Sequence, residues 1–310
     1  KTSDYTGVII MGDIFMNRRP TPTVLLAFKS ILKYFSPSKV FVLRGNHDTE
    51  TKADDGITAL SLFRAKHDSS NEDVEVITHT SRFNLGFYHH ATFIPHYEDE
   101  ELIRDSLQSV PTDDIVFGHF GFLGGYNSFG DADSSITLDK FTNLTFLGHI
   151  HGYMEKGLVT VLGTPYSISF NDAGEKKYFG VLTINKDGVG FEKVPITWGP
   201  RHLVFDIDDL AANKELINDY AYFTYLRVYI NSLTEDSVAT SKILKEYSVN
   251  ALDIKYKSVS DFEAPNTYVP KENLFAITDE VIGEYIDNSN TSLEKDDLLD
   301  GLNLLRNENK

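Results

Sequence analysis

The chain has 310 residues, of which 41% are apolar, and a formal net charge of −17. A chain of this length and apolar content is expected to form one large domain with one or two smaller ones. The absence of cysteine excludes disulfides, thiolate zinc sites and thiol nucleophiles, and it favours a reducing, cytoplasmic location. No apolar run approaches the roughly 18 residues of a membrane span, so no membrane association is expected.

The acidic balance argues against a protein whose whole surface binds nucleic acid, because affinity for phosphates comes from clustered lysine and arginine. Residues 1–50 nevertheless hold seven basic and four acidic side chains, whereas residues 201–310 hold eleven basic and twenty-one acidic ones. The N-terminal part is therefore compatible with a locally basic face for a polyanionic substrate.

The first predicted strand is an apolar run at residues 8–11, and it ends in Gly12-Asp13. Thr21-Pro22 then provides an N-cap and a proline at the first helical position. Behind it, apolar residues recur at helical spacing: Val24, Leu25, Phe28, Ile31, Leu32 and Phe35. The next buried strand, residues 40–43, runs into Arg44-Gly45-Asn46-His47-Asp48.

The same pattern of an apolar strand followed by a polar motif occurs twice more. Residues 115–117 lead to Gly118-His119, and residues 144–147 lead to Gly148-His149-Ile150-His151. Open α/β sheets bind ligands at the carboxyl ends of their strands, so the four motifs are expected to converge. The apolar segments 158–162, 178–184 and 190–194 predict further strands, in a second and more antiparallel sheet. The predicted fold class is α/β, with two sheets flanked by helices.

The pattern changes near Trp198-Gly199-Pro200. Strand patterns at 203–207, 223–230 and 252–256, with a short helix between 234 and 247, predict a small α+β unit. Two amphipathic segments follow, and a Thr291/Glu294 capping box marks the start of the second. Their apolar stripes are formed by Leu274, Ile277, Val281, Ile282 and Tyr285 in the first, and by Leu298, Leu299, Leu302 and Leu305 in the second.

The polar motifs offer a mixed set of oxygen and imidazole ligands for divalent cations. One ion is expected on four residues: Asp13, Asn46, His119 and His149. His151 is expected to serve a second ion, with Asp13 bridging the two. Two ions about 3.5–4 Å apart clamp a phosphodiester, generate hydroxide and stabilise the leaving oxygen.

The pair His47 and Asp48 is predicted to be catalytic. His47 cannot easily ligate an ion if Asn46 does, so it is free to act as the acid or electrostatic partner. Asp48 is expected to orient its ring. Each motif alone is weak evidence for a functional site, because a lone Gly-Asp or Gly-His is usually part of a turn. The prediction depends on the occurrence of all four motifs in this order, each directly after an apolar strand. His89, His90 and His96 are not part of such a motif after an apolar strand, so they are interpreted as ordinary histidines. The stretch around His96 could nevertheless lie near the site.

The motifs resemble those of the calcineurin-like metallophosphoesterases. Residues 15–310 resemble more specifically the nuclease subunit of SbcCD-type double-strand-break repair complexes, in the version found in bacteriophage recombination endonucleases. This finer resemblance is carried by segments in the subfamily's order: Gly12-Asp13-Ile14-Phe15 with Arg18, Ile94-Pro95, Gly163-Thr164-Pro165-Tyr166-Ser167 and Phe179-Gly180-Val181.

The resemblance implies a four-layered α/β sandwich of two mixed sheets flanked by helices, with a DNA-capping domain. It divides the chain into a nuclease domain (1–198), a capping domain (199–264) and a helical segment (265–310) that binds an SbcC-like coiled-coil ATPase. It also implies two divalent ions, most often Mn²⁺ with Mg²⁺ as the alternative, double-stranded DNA ends as substrate, and a homodimer formed by a helix carrying Leu25, Phe28 and Leu32. A phage-encoded protein would act in the host cytoplasm.

Two departures from the subfamily pattern stand out. An Asp-x-His motif on a first strand supplies two ligands of one ion in these nucleases, and nothing before Gly12 provides it. Either a segment of some tens of residues precedes Lys1, which is the expectation we favour, or the protein is deficient in that metal site. Many relatives also carry a histidine where this chain has Met16. That histidine assists the catalytic one, so the balance of exonuclease and endonuclease activity is left open.

Two other functions are compatible with the motifs. Leu43-Arg44-Gly45-Asn46-His47 also resembles phosphoprotein phosphatases, so a phosphatase or cyclic-nucleotide phosphodiesterase is the alternative enzyme. A non-catalytic assembly subunit, binding the ATPase through its terminal helices, is the alternative from another class. Arg18, Arg19 and Lys39 are candidates for DNA contact, although exposed basic residues are usually only solvated.

Overall fold

The computed structural model describes residues 5–64, 73–127, 130–131, 134–230, 242–243 and 245–256. The segment 265–310, with its predicted partner-binding residues, lies outside the described residues. The α-helices that lie wholly within the described residues are α1 (Pro22–Phe35), α2 (Glu100–Ser109) and α3 (Lys214–Ile217). None of them has the length and apolar content that crossing a bilayer requires. The strands are β1 (Gly7–Ile10), β2 (Lys39–Leu43), β3 (Val74–Ile77), β4 (Ser81–Gly86), β5 (His89–Ile94), β6 (Ile115–Gly118), β7 (Tyr126–Asn127), β8 (Gly130–Asp131), β9 (Thr145–Leu147), β10 (Met154–Lys156), β11 (Val159–Val161), β12 (Tyr178–Asn185), β13 (Gly188–Pro195), β14 (Gly199–Asp206), β15 (Tyr222–Ile230) and β16 (Ala251–Tyr256).

The first sheet contains β1, β2 and β3 in that order, and all its described strands are parallel, where a mixed sheet was expected. Helix α1 connects β1 to β2. Its residues Phe28 and Leu32 are buried in a cluster with β1, β2 and β3. These two side chains were expected at a dimer contact, but they are already used in the protein's own core. The apolar residues that α1 exposes are Val24, Leu26, Ile31 and Tyr34.

The second sheet has six strands in the order β10-β11-β9-β6-β5-β4. Its four central strands are parallel, and β4 and β10 pair antiparallel at the edges. The apolar segment 158–162 was expected in a separate, more antiparallel sheet with residues 178–194. It forms β11 of this sheet instead, parallel to β9. Among the described strands, β12 and β13 pair only with each other.

The two sheets bury a shared core that contains a ladder of phenylalanine rings. Phe41 of the first sheet stacks on Phe93 of the second, with ring centroids 5.0 Å apart. Phe117 and Phe146 continue the ladder at centroid distances of 5.1 and 5.5 Å, and Phe191 of β13 covers its end at 4.9 Å. The ladder fixes the two sheets face to face, which brings their carboxyl edges together.

Residues 74–109 form β3, β4, β5 and α2, which the sequence pattern did not predict. Asp99 caps α2 by accepting a hydrogen bond of 2.9 Å from the Glu101 amide. Ile103 and Leu107 of α2 are buried in a cluster with residues of the second sheet. The sequence signal for α2 was the capping aspartate followed by two glutamates.

Strands β14, β15 and β16 form a third, parallel sheet, at the positions where the sequence predicted strands. Alternate residues of β15, such as Leu226 and Val228, are buried in a separate core with Ile217. The opposite face contacts the segment before β12. The hydroxyl of Ser167 lies 2.9 Å from Nδ1 of His202.

Candidate metal centre

Four of the predicted ligand residues converge where the carboxyl edges of the two sheets meet. Asp13 follows β1 and Asn46 follows β2, whereas His119 and His149 follow β6 and β9 of the second sheet. Ligand atoms of Asp13, His119 and His149 lie within 4.8 Å of one another. One terminal atom of the Asn46 amide lies 3.1 Å from His149 Nδ1, 3.3 Å from His119 Nε2 and 3.1 Å from Asp13 Oδ2.

Unusual backbone conformations aim these side chains at one point. Asp13 has a φ of 54° and His149 a φ of 71°, a region that L-residues with a bulky side chain rarely adopt. Glycines allow the close approach of the motifs to one another. A Cβ on Gly45 would lie 2.2 Å from Asp13 Oδ1, and one on Gly148 would lie 2.4 Å from the Met11 carbonyl oxygen.

Asp13 and His119 form an ion pair across the two sheets, with 3.2 Å between Oδ2 and Nε2. Burial opposes ionisation of both groups. The His119 ring and the His47 amide nevertheless hold the pKa of Asp13 well below its usual range, and Asp13 raises the pKa of His119. His119 Nδ1 donates to the carbonyl of Met11 over 2.5 Å, so Nε2 is the ring nitrogen directed at Asp13. A cation bound there would displace the Nε2 proton.

His149 and His96 are neutral rings beside this ion pair. Burial, followed by the charge of His119, lowers the pKa of His149 to about 3. Burial lowers the pKa of His96 to about 4. The His96 ring stacks on His149 with centroids 6.2 Å apart and stands edge-on to His119 at 6.4 Å. A neutral imidazole is the form that binds a metal ion, so His149 is in the ligand form at neutral pH.

His96 is the site residue that the sequence pattern underrated. It follows the carboxyl end of β5, which the sequence did not predict as a strand, and its amide donates to the Arg44 carbonyl over 2.9 Å. His89 and His90 lie at the opposite end of β5. The signal that could have identified His96 is its position directly after a parallel strand, and it was missed because β5 was not predicted.

Asp48 does not orient His47, contrary to expectation. Its buried carboxylate accepts hydrogen bonds from the amides of Phe15 (3.1 Å) and Gly45 (2.9 Å), and burial raises its pKa. The Nδ1 atom of His47 instead lies 3.2 Å from the carbonyl oxygen of Met16. Asp48 joins the loops after β1 and β2, and the Met16 backbone takes over the orienting contact.

His151 lies outside the cluster of Asp13, His119 and His149. Its Nδ1 atom is 3.6 Å from Oδ1 of Asp172, a fully buried carboxylate. The sequence pattern did not predict a role for Asp172. A role for His151 in binding a second ion stays a prediction.

The two arginines predicted to contact DNA differ in their surroundings. Arg18 bonds Thr49 and pairs with Glu98 at 3.1 Å, so it ties the loop after β1 to those after β2 and β5. Arg19 pairs with Glu50 at 2.9 Å and keeps 81% of its side chain exposed. Of the two guanidinium groups, that of Arg19 is the more accessible to a phosphate.

The carboxylate, amide and imidazole groups at this edge fit a divalent cation of the Mn²⁺, Fe²⁺ or Zn²⁺ type. An α/β fold with such a ligand set beyond its parallel strands is typical of metal-dependent hydrolases. Residues 2–153 match the family described as calcineurin-like phosphoesterases. This part of the chain is therefore a calcineurin-like metallophosphoesterase domain, and this family implies metal-dependent hydrolysis of phosphoesters. No curated protein matches the chain.

Proposed function

We propose that the protein is a metal-dependent DNA nuclease that hydrolyses phosphodiester bonds at double-stranded DNA ends. In this proposal it works with an SbcC-like coiled-coil ATPase in recombination and double-strand-break repair. The observation that carries the enzymatic part is the meeting of Asp13, His119 and His149 around the Asn46 amide, with the exposed His47 ring on the neighbouring loop. The order of the motifs along the chain supports the choice of DNA as substrate.

The proposed ions are Mn²⁺, with Mg²⁺ as the alternative. Asp13, Asn46, His119 and His149 would hold one ion, and His151 with Asp13 would serve the second. Bound ions would supply a Lewis acid for the phosphate and a water molecule of lowered pKa.

His47 would handle the proton of the leaving oxygen. Because a carbonyl oxygen only accepts hydrogen bonds, the Met16 carbonyl fixes the hydrogen of His47 on Nδ1. The Nε2 atom is then the position that takes up or gives away a proton. The backbone amide of His47 donates to Asp13 Oδ1 over 2.9 Å, which holds the histidine beside the ligand cluster.

Arg44 argues against the phosphoprotein phosphatase alternative. This residue is 1% exposed, and its guanidinium donates to the carbonyl of His96 over 2.6 Å and faces the Tyr97 ring. A guanidinium buried in this way is not accessible to the phosphate of a small ester.

The enzymatic proposal is tested with the purified chain, Mn²⁺ and linear double-stranded DNA. Cleavage is expected to require the metal, to be lost in His47→Ala and His149→Ala, and to persist in His89→Ala, a control at the far end of β5. Full activity in both site variants would falsify the assignment. Hydrolysis of p-nitrophenyl phosphate or cyclic AMP with none of DNA favours the alternative enzyme, and no hydrolysis with retained ATPase binding favours the assembly subunit.

The subfamily resemblance also supports a finer organisation, which we propose together with the activity. The sheets and helices would form a four-layered sandwich in residues 1–198, with residues 199–264 capping the DNA and residues 265–310 binding the ATPase. A homodimer through α1 would use its exposed residues, such as Leu26 and Tyr34. Truncation after Pro270 is expected to abolish ATPase binding and leave basal nuclease activity; a truncated protein that still binds contradicts the partner assignment.

A further inference from the structure

The backbone of His151 is held by contacts from two later segments of the chain. Its carbonyl oxygen accepts hydrogen bonds from the Thr164 amide (2.9 Å) and from Nζ of Lys177 (3.2 Å), a side chain that is 7% exposed. A Cβ on Gly163 would lie 2.6 Å from the same oxygen. The segment after β11 therefore packs directly against His151.

The side chain of His151 lies beside the buried carboxylate of Asp172. Asp172 ends a short 3₁₀ turn and takes part in its capping box with Ser169. Its Oδ2 atom accepts hydrogen bonds from the amides of Ile168 (2.8 Å) and Ser169 (3.3 Å). Its Oδ1 atom lies 3.6 Å from His151 Nδ1. One oxygen is thus fixed by the backbone, and the other lies 3.6 Å from the imidazole nitrogen, which is ion-pair distance and longer than a hydrogen bond.

The two nitrogens of the His151 ring are in different surroundings. The Nδ1 atom is buried, whereas the side chain as a whole is 25% exposed. The exposed part of the ring is therefore not at Nδ1. A carboxylate accepts hydrogen bonds and donates none, so a neutral imidazole beside it is stabilised with its hydrogen on Nδ1 and its lone pair on Nε2.

We propose that Asp172 is a positioning residue that fixes the Nδ1–H tautomer of His151 and so keeps Nε2 available as a ligand atom. The inference rests on the proposed function only in taking a divalent cation as the group that Nε2 would bind. Carboxylates that receive the second nitrogen of a ligating histidine set its tautomer and ring orientation in metal sites generally. Lys177 and Thr164 would fix the backbone of the same residue, and Asp172 its side chain.

The substitution Asp172→Asn tests the proposal because it changes hydrogen bonding and keeps the shape. The amide oxygen of Asn can still accept from Ile168 and Ser169, and its NH₂ group then faces His151 Nδ1. A donor at that position moves the hydrogen of the neutral imidazole to Nε2. Asp187→Asn, in the β12–β13 turn, is the matched control because it makes the same change in charge away from His151.

The tautomer is read directly by NMR of ¹⁵N-histidine-labelled full-length chain, without metal, at a pH where histidine is neutral. We expect Nδ1–H for His151 in the unmodified protein and in Asp187→Asn, and Nε2–H in Asp172→Asn. The affinity for Mn²⁺ alone is expected to fall by about 10–100-fold in Asp172→Asn. Thermal unfolding of each variant separates this effect from loss of the turn.

Two results would overturn the proposal: an Nε2–H tautomer for His151 in the unmodified protein, or an unchanged tautomer in a folded Asp172→Asn variant. The first needs no variant, so it stands even if Asp172→Asn does not fold. The tautomer is independent of the substrate. Failure to cleave DNA with the expected tautomers would therefore count against the proposed nuclease function, and DNA cleavage with the wrong tautomers would count against the role of Asp172.

Discussion

Oδ2 of Asp13 lies 3.2 Å from Nε2 of His119, and this contact joins the carboxyl edges of the two sheets. Asp13 follows a strand of the first sheet and His119 a strand of the second. Neither sheet carries the ligand set alone. The affinity for a cation therefore depends on how the sheets pack as well as on the ligands.

Replacing His119 by asparagine removes one imidazole and the ion pair with Asp13. We expect the affinity for Mn²⁺ to fall by more than the about 10–100-fold that loss of an outer partner costs. Isothermal titration of the metal-free protein measures the change. His89→Asn makes the same substitution at the far end of β5 and should bind Mn²⁺ like the unmodified chain. Equal affinities in the two variants would remove His119 from the centre.

Replacing Gly45 by alanine tests the close approach of the motifs. The new Cβ would lie 2.2 Å from Asp13 Oδ1, so the carboxylate or the loop has to move. We expect at least about tenfold weaker Mn²⁺ binding together with a lower free energy of unfolding, by about 1–3 kcal/mol. Gly190→Ala is the control, because its nearest neighbour would be 3.9 Å away. Unchanged Mn²⁺ affinity in Gly45→Ala would contradict the geometry of the loop.

Replacing Phe93 by alanine removes the middle of the phenylalanine ladder. Phe93 is fully buried and stacks between Phe41 and Phe117. The free energy of unfolding is expected to fall by about 3–5 kcal/mol in Phe93→Ala, as measured by urea denaturation. Leu26→Ala on the exposed face of α1 should change it by less than about 0.5 kcal/mol. A similar small effect for both variants would mean that the ladder does not hold the sheets together.

Asp114 links stability to acid pH. Its carboxylate accepts from Nε and Nη2 of Arg82 and from the hydroxyl of Thr92, each at 2.8 Å. These bonds, above all that from Arg82, lower the pKa of Asp114. Because the folded value lies below the unfolded one, the stabilisation is complete above the unfolded pKa of about 3.9 and is lost as the pH falls through the folded pKa.

We therefore expect Asp114→Asn to lower the free energy of unfolding at neutral pH by about 1–3 kcal/mol. The difference from the unmodified protein should shrink as the pH falls below about 4. Urea denaturation across this pH range measures it. The exposed neighbour Asp113 provides the control substitution Asp113→Asn, for which little effect is expected at any pH. A difference for Asp114→Asn that stays constant with pH would show that its charge is not responsible.

The amino-acid sequence was enough to locate the strands that carry the ligands. Continuous apolar runs followed at once by Gly-Asp, Gly-Asn-His or Gly-His mark the ends of β1, β2, β6 and β9. Burial on both faces makes such strands apolar throughout, and the glycine permits the sharp departure of the chain. For the same reason the convergence of Asp13, Asn46, His119 and His149 followed from the sequence. Strand pairing did not, as the position of β11 beside β9 shows.

The tertiary structure decided which groups surround those ligands. Asp48 is next to His47 in the chain, yet it bonds backbone amides, and the Met16 carbonyl reaches His47 instead. His96 joins the site from β5, and Asp172 approaches His151 from a turn that follows β11. Contacts of this kind depend on backbone groups that every residue has, and on loops brought together by sheet packing. The sequence could have indicated His96 by its position after a strand, but it gives no signal for the contacts of the Met16 carbonyl and of Asp172.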